Sequence, residues 1–111
     1  MKFIITAKKI QITEKIKEYI EERLGSCEKY INTDFPLIAK VELGKTTDHH
    51  NKGKIFMASV NIKLKYKFLR AEATREDIYL AINELRDRLK TELRKYKDIV
   101  VKNHKKPRKI F

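Results

Sequence analysis

The sequence predicts an α+β fold: a two-layer α/β sandwich in which a four-stranded sheet carries two helices on one face, in the order β-α-β-β-β-α. Three observations predict it. Two segments repeat apolar residues at three- and four-residue spacing, as amphipathic helices do. Three others alternate apolar and polar residues, as half-buried strands do. Each element has one apolar face only, so the helices must cover one side of the sheet. At 111 residues the chain makes one domain, with 41% hydrophobic residues to fill its core.

Residues 2–7, KFIITA, form the first strand, since Phe3, Ile4, Ile5 and Thr6 favour extended backbone. Thr13 then suits a helix N-cap, with Glu14 in the first turn. Ile16, Tyr19, Ile20, Leu24, Cys27, Tyr30 and Ile31 make one helical stripe, which Gly25 bends or ends. Asn32, Thr33, Asp34 and Pro36 break the chain. Leu37, Ala39, Val41 and Leu43 are the inward set of the second strand, and residues 45–53, KTTDHHNKG, a polar loop. Phe56, Ala58, Val60, Ile62 and Leu64 alternate in the third strand. After a turn near Tyr66 and Lys67, Leu69, Ala71 and Ala73 alternate in the fourth, a hairpin with the third. Ile78, Ala81, Ile82, Leu85, Leu89, Leu93 and Tyr96 stripe a long helix over residues 76–98, which hold no Gly or Pro. The domain is thus residues 1–98. Residues 99–111, with Pro107 and no periodicity, read as a flexible basic tail. Ile110 and Phe111 end it, either packing back, docking on a partner or carrying no role.

Charge supplies the functional clue. The net charge is +12, with +1 over residues 1–35, +6 over 36–75 and +5 over 76–111. Such an excess suits a polyanionic partner, nucleic acid or an anionic membrane surface, or else serves only as a solvated basic surface. No apolar run is long enough to span a bilayer, and the N-terminus lacks the pattern of a signal peptide. A single cysteine, Cys27, cannot form an internal disulfide, which fits a reducing, cytoplasmic setting. Catalysis has little support. Phosphate-loop and HExxH motifs are absent, Cys27 falls on a core face, and His49 and His50 on a loop have only Asp48 beside them. No catalytic set, metal site or cofactor is expected.

On the long helix, projected at about 100° per residue from Ile78, Arg86, Lys90, Arg94 and Lys97 fall between about 80° and 160°. They make a basic ridge with Tyr79 at its start and Glu76, Asp87 and Asp98 at its margins. Arg88 and Lys95 lie on the opposite flank with Asp77, Glu84 and Glu92. The ridge either tracks a phosphate backbone or is a solvated face laced by ion pairs. Arg23 projects into the apolar stripe of the first helix, so it either snorkels to the surface or faces a ligand.

The segment EDIYLAINELRDRLKTELRKYK, residues 76–97, resembles the second-helix signature of the ribosome hibernation promoting factors, or protein Y-type inhibitors. The matching residues are Asp77, Tyr79, Ala81, Ile82, Leu85, Leu89, Leu93, Lys95 and Lys97. IQITEKIKEYIEERL is similar to the family's "ITxxIxxYVxxRL" opening, and LRAEATREDIY to its strand-to-helix junction. The resemblance covers residues 1–98. It implies a fold like a double-stranded RNA-binding domain and a protein that is not an enzyme. Such a protein binds the small ribosomal subunit and its ribosomal RNA in the decoding channel. There it blocks mRNA and tRNA and preserves idle ribosomes in stress or stationary phase. By position, Arg23 and Lys29 match basic residues of the family's first helix, and Arg88 and Lys95 those of its second. Ser26, Thr91 and Gly25 depart from the family pattern, which shifts phosphate contacts toward Arg86, Lys90, Arg94 and the tail. The resemblance fits a short form or the N-terminal part of a long one. The expectation is a cytoplasmic monomer that binds neither DNA nor membrane. A double-stranded RNA binder without ribosome specificity is the alternative.

Overall fold

In the computed structural model the backbone is described for residues 1–31, 37–47, 54–64 and 67–105, and side chains for 1–31, 37–45, 55–64 and 67–98. The order is β1 (Lys2–Lys8), α1 (Glu14–Gly25), a 3-10 turn (Ser26–Tyr30), β2 (Ile38–Thr47), β3 (Lys54–Lys63), β4 (Phe68–Arg75) and α2 (Ile78–Lys105). The strands form the single four-stranded sheet expected, in sequence order, with β3 and β4 the expected hairpin. β1 runs parallel to β2, and the other pairs are antiparallel. A parallel pair needs a crossover, and α1 supplies it.

The alternation read from the sequence sets the inner face. Leu37, Ala39, Val41 and Leu43, then Ala58, Val60, Ile62 and Leu64, then Leu69, Ala71 and Ala73 are all buried. Against them pack Ile16, Ile20 and Leu24 of α1, Cys27 of the 3-10 turn, and Ile78, Ala81, Ile82, Leu85, Leu89 and Leu93 of α2. The edge strand β1 keeps Phe3, Ile5 and Ala7 half-buried. Ile4, Ile38, Met57 and Phe68 stay exposed on the outer face.

Several boundaries differ from the sequence reading, each for a local reason. α1 stops at Gly25 and tightens into the 3-10 turn, where the Ser26 hydroxyl donates to the Arg23 carbonyl at 2.7 Å. The tighter turn still stacks Leu24, Cys27 and Tyr30 at three-residue spacing. β2 runs three residues into the segment 45–53 read as a loop, because Lys45, Thr46 and Thr47 pair with Phe56, Ile55 and Lys54. The helix read over 76–98 begins at Ile78, and Asp77 is its cap: the Asp77 carboxylate accepts from the backbone N–H groups of Tyr79 (2.8 Å) and Leu80 (3.2 Å).

α2 also continues to Lys105, so residues 99–105, read as flexible tail, are helical. Nothing in 99–105 breaks a helix, since the stretch holds neither Gly nor Pro. The break at 32–36, His49, His50, Tyr66 and the end of the tail with Ile110 and Phe111 lie outside the described residues.

Candidate nucleic-acid interface

Two aromatic groups organise the cations along the seam between α1, the 3-10 turn and α2. Near the start of α2, Tyr19 and Tyr79 meet edge to face, with ring centroids 4.9 Å apart and planes at 85°. The Lys15 ammonium lies 5.8 Å from the Tyr79 ring and the Arg23 guanidinium 4.8 Å from the Tyr19 ring. Further along, Tyr30 gathers three cations. Lys29 stands 5.4 Å, Lys90 5.6 Å and Arg94 5.6 Å from its ring. Ring faces carry negative potential, which lets several cations share a small area. Hydrogen bonds from Lys90, then Arg94, together with the nearby positive charges, pull the Tyr30 hydroxyl below its usual tyrosine range.

Arg23 takes the snorkelling course: its side chain is 38% exposed, over Tyr19. Its Nε is nevertheless buried with no hydrogen-bond acceptor, since the Glu22 carboxylate is 3.9 Å away, beyond hydrogen-bond range. Such a donor carries a desolvation cost of about 1–3 kcal/mol. An incoming anion would supply the missing acceptor. Arg86 lies on α2 between Tyr79 and Lys90, and its guanidinium is held at 3.0 Å by Asp87. Its backbone carbonyl faces the buried Cys27 thiol at 3.9 Å. Burial pushes that thiol up in pKa, as a core residue requires. Lys97 is exposed, and it projects to the Lys90 flank.

The other flank of α2 faces β4 and is balanced. Glu84 accepts from Arg75 at 3.1 Å and pairs with Arg88 at 2.8 Å, while Arg75 also approaches Glu76 at 3.7 Å. Glu92 lies 3.6 Å from Lys95. The eight residues singled out by sequence therefore divide. Lys29, Lys90 and Arg94 converge on one ring, with Arg23, Arg86 and Lys97 on the same flank. Arg88 and Lys95 lie on the opposite flank in acidic company.

Sequence reasoning missed Lys15 and the role of Tyr19 and Tyr30, which it counted as core. Both rings are half-buried, one face against the core and the other under cations. The local signals were neighbouring Lys29 and Tyr30, and Tyr19 with Arg23 one helical turn on; the approach of Lys90 and Arg94 is tertiary.

Among the described residues no three His, Cys, Asp or Glu side chains cluster as a metal site, and no helix is long and apolar enough to cross a membrane.

Comparison with known proteins places this geometry in context. Residues 3–100 match the family model described as sigma 54 modulation protein / S30EA ribosomal protein. A ribosome hibernation promotion factor of Lactococcus lactis subsp. cremoris (strain MG1363) is 31% identical over 108 residues, covering 97% of this chain and 54% of that protein. One from Staphylococcus aureus (strain COL) is 33% identical over 97 residues, covering 87% of this chain and 48% of that protein. The chain thus spans about half the length of these curated relatives. The crystal structure of the Thermus thermophilus protein Y N-terminal domain superposes with a TM-score of 0.73 at 29% identity, covering 86% of this chain and 99% of that one. A ribosomal subunit interface protein from Coxiella burnetii shares the fold, with a TM-score of 0.66 at 22% identity over 88% of this chain and 99% of that one.

Proposed function

Since this chain belongs to the sigma 54 modulation protein / S30EA ribosomal protein family, as its resemblance to the hibernation factors anticipated, we propose that it holds ribosomes idle by occupying them. The α1–α2 seam docks on RNA of the small ribosomal subunit, in the decoding channel, and sterically excludes mRNA and tRNA. The chain works in the cytoplasm and performs no covalent chemistry. Electrostatics supply the affinity, and the shape of the helical layer supplies the site.

The observation that carries this reading is the convergence of Lys29, Lys90 and Arg94 on Tyr30, with Lys15 and Arg23 on the neighbouring rings. Rings and cations of this kind form a preorganised phosphate track, and the buried Arg23 Nε still lacks an acceptor. The Arg88 flank, by contrast, has its charge compensated by Glu84 and Glu92.

Cosedimentation with ribosomes and separated subunits tests it. The chain comigrates with the small subunit and resists excess RNA duplex as competitor, and the combined Lys29→Glu, Lys90→Glu, Arg94→Glu variant stays at the top of the gradient while keeping a folded spectrum. Comigration of that variant at moderate salt refutes the surface. Loss of the unmodified chain to the duplex competitor refutes ribosome specificity and leaves a general double-stranded RNA binder.

A further inference from the structure

Among the described residues no helix covers the outer face of the sheet, and one end of that face is both apolar and basic. Two adjacent cross-strand rows there contain no acid. The first runs Lys2, Ile38, Lys63, Phe68, in which Lys2 pairs with Ile38 and Lys63 with Phe68. The second runs Ile4, Lys40, Asn61, Arg70, each paired with the next. The glutamates of this face, Glu42 and Glu72, stand together in the following row, and Glu72 is held by Arg70 at 3.3 Å.

Exposed faces of antiparallel sheets are ordinarily polar. Here Phe68 is 69% exposed, with Ile4 and Ile38 also open to solvent. The Lys63 ammonium lies 5.8 Å from the Phe68 ring, and the Arg70 guanidinium donates to the Asn61 side-chain oxygen at 3.2 Å. A bare aromatic face bordered by cations is the arrangement on which single-stranded nucleic acid binds: a base stacks on the ring while phosphates follow the cations. Duplex RNA offers no free base face, so the ring selects a single strand. An acidic protein segment would engage the same cations but offers the exposed Phe68 ring no flat base to stack on.

We propose that these two rows are a second RNA surface, specific for single strands, with one base on Phe68 and flanking phosphates on Lys63, Lys40 and Arg70. It lies across the sheet from the helix seam. The chain would hold two RNA segments at once, one on each layer.

Amide spectra of the intact chain, titrated separately with single-stranded decauridine and with a deca-glutamate peptide, test the proposal. Decauridine shifts the amides of Ile4, Ile38, Lys40, Asn61, Lys63, Phe68 and Arg70, saturably. Phe68→Ala weakens binding read at these amides roughly fivefold or more, the scale of one base–aromatic stack, and Phe68→Trp restores it. Shifts confined to the helix seam, or none at all, overturn the proposal and spare the reading above, which cosedimentation with the small subunit tests separately. Unchanged affinity in Phe68→Ala overturns the stacking role. Deca-glutamate moving these amides where decauridine does not overturns the proposal in favour of an acidic protein partner.

Discussion

Neutralising the Tyr30 cluster should change how binding responds to salt, and the size of that change follows from the structure. Lys29, Lys90 and Arg94 stand within 5.4–5.6 Å of one ring, and the interactions described for them lead to Tyr30 rather than to a carboxylate. Each phosphate neutralised by such a cation contributes about 0.7–0.9 to the slope of log affinity against log salt. Replacing all three by Gln therefore flattens the slope by about 2–2.7. Between about 50 and 200 mM salt, the unmodified chain then loses roughly 20–40-fold more affinity than the variant. The matched control is Arg88→Gln with Lys95→Gln. These cations already sit 2.8 Å from Glu84 and 3.6 Å from Glu92, so they displace fewer counterions, and the slope changes by about 1 or less. The assay is equilibrium binding of labelled chain to isolated small subunits across a salt series. A control pair that flattens the slope more than the Tyr30 trio refutes the assignment of flanks.

Three further outcomes are expected. Gly25→Ala stabilises the chain by about 0.5–1 kcal/mol in urea unfolding, because Gly25 has helical backbone and an added Cβ meets nothing within 4 Å. Asp77→Ala destabilises it by about 1 kcal/mol in the same assay, since two N–H groups at the start of α2 lose their acceptor. In a spectrophotometric titration the Tyr30 hydroxyl ionises at lower pH than an unfolded tyrosine, and Lys90→Met raises it again. Because the folded-state value is the depressed one, the stability this gives is complete above the unfolded tyrosine value and is lost as pH falls through the folded value. Lys90→Met therefore costs more stability at a pH close to the unfolded tyrosine value than near neutrality, as urea unfolding at the two pH values will read.

The element order and the inward face of each strand were legible in the sequence because a period of two, or of three to four, is a local property. Val41, Val60 and Leu69 were assigned inward and are buried. Thr13 was assigned as the N-cap of α1, and its hydroxyl oxygen accepts from the Ile16 N–H at 3.1 Å. Boundaries were less legible where partners override composition. The KTT of residues 45–47 reads as loop until β3 pairs with it, and Asp77 looks like a surface acid until α2 begins behind it. The stretch 99–105 carries the apolar stripe only as far as Val100 before turning polar, yet it extends a helix already nucleated in the core, and adding residues to an existing helix is far easier than starting one.

The candidate site divides along the same line. Sequence by itself determined that the chain is basic, that Arg86, Lys90, Arg94 and Lys97 share one flank of a helix, and that Arg88 and Lys95 share the other, since helical projection depends only on spacing. Tertiary structure decided what the two flanks meet beyond their own helix. Glu84 reaches Arg75 of β4 as well as Arg88 of its own helix, whereas Lys90 and Arg94 meet a ring sixty residues away in the chain. The pairs of Arg88 with Glu84 and Lys95 with Glu92 lie within α2 and follow from helical spacing, whereas the gathering of Lys90 and Arg94 on Tyr30 is set only by packing the 3-10 turn against α2.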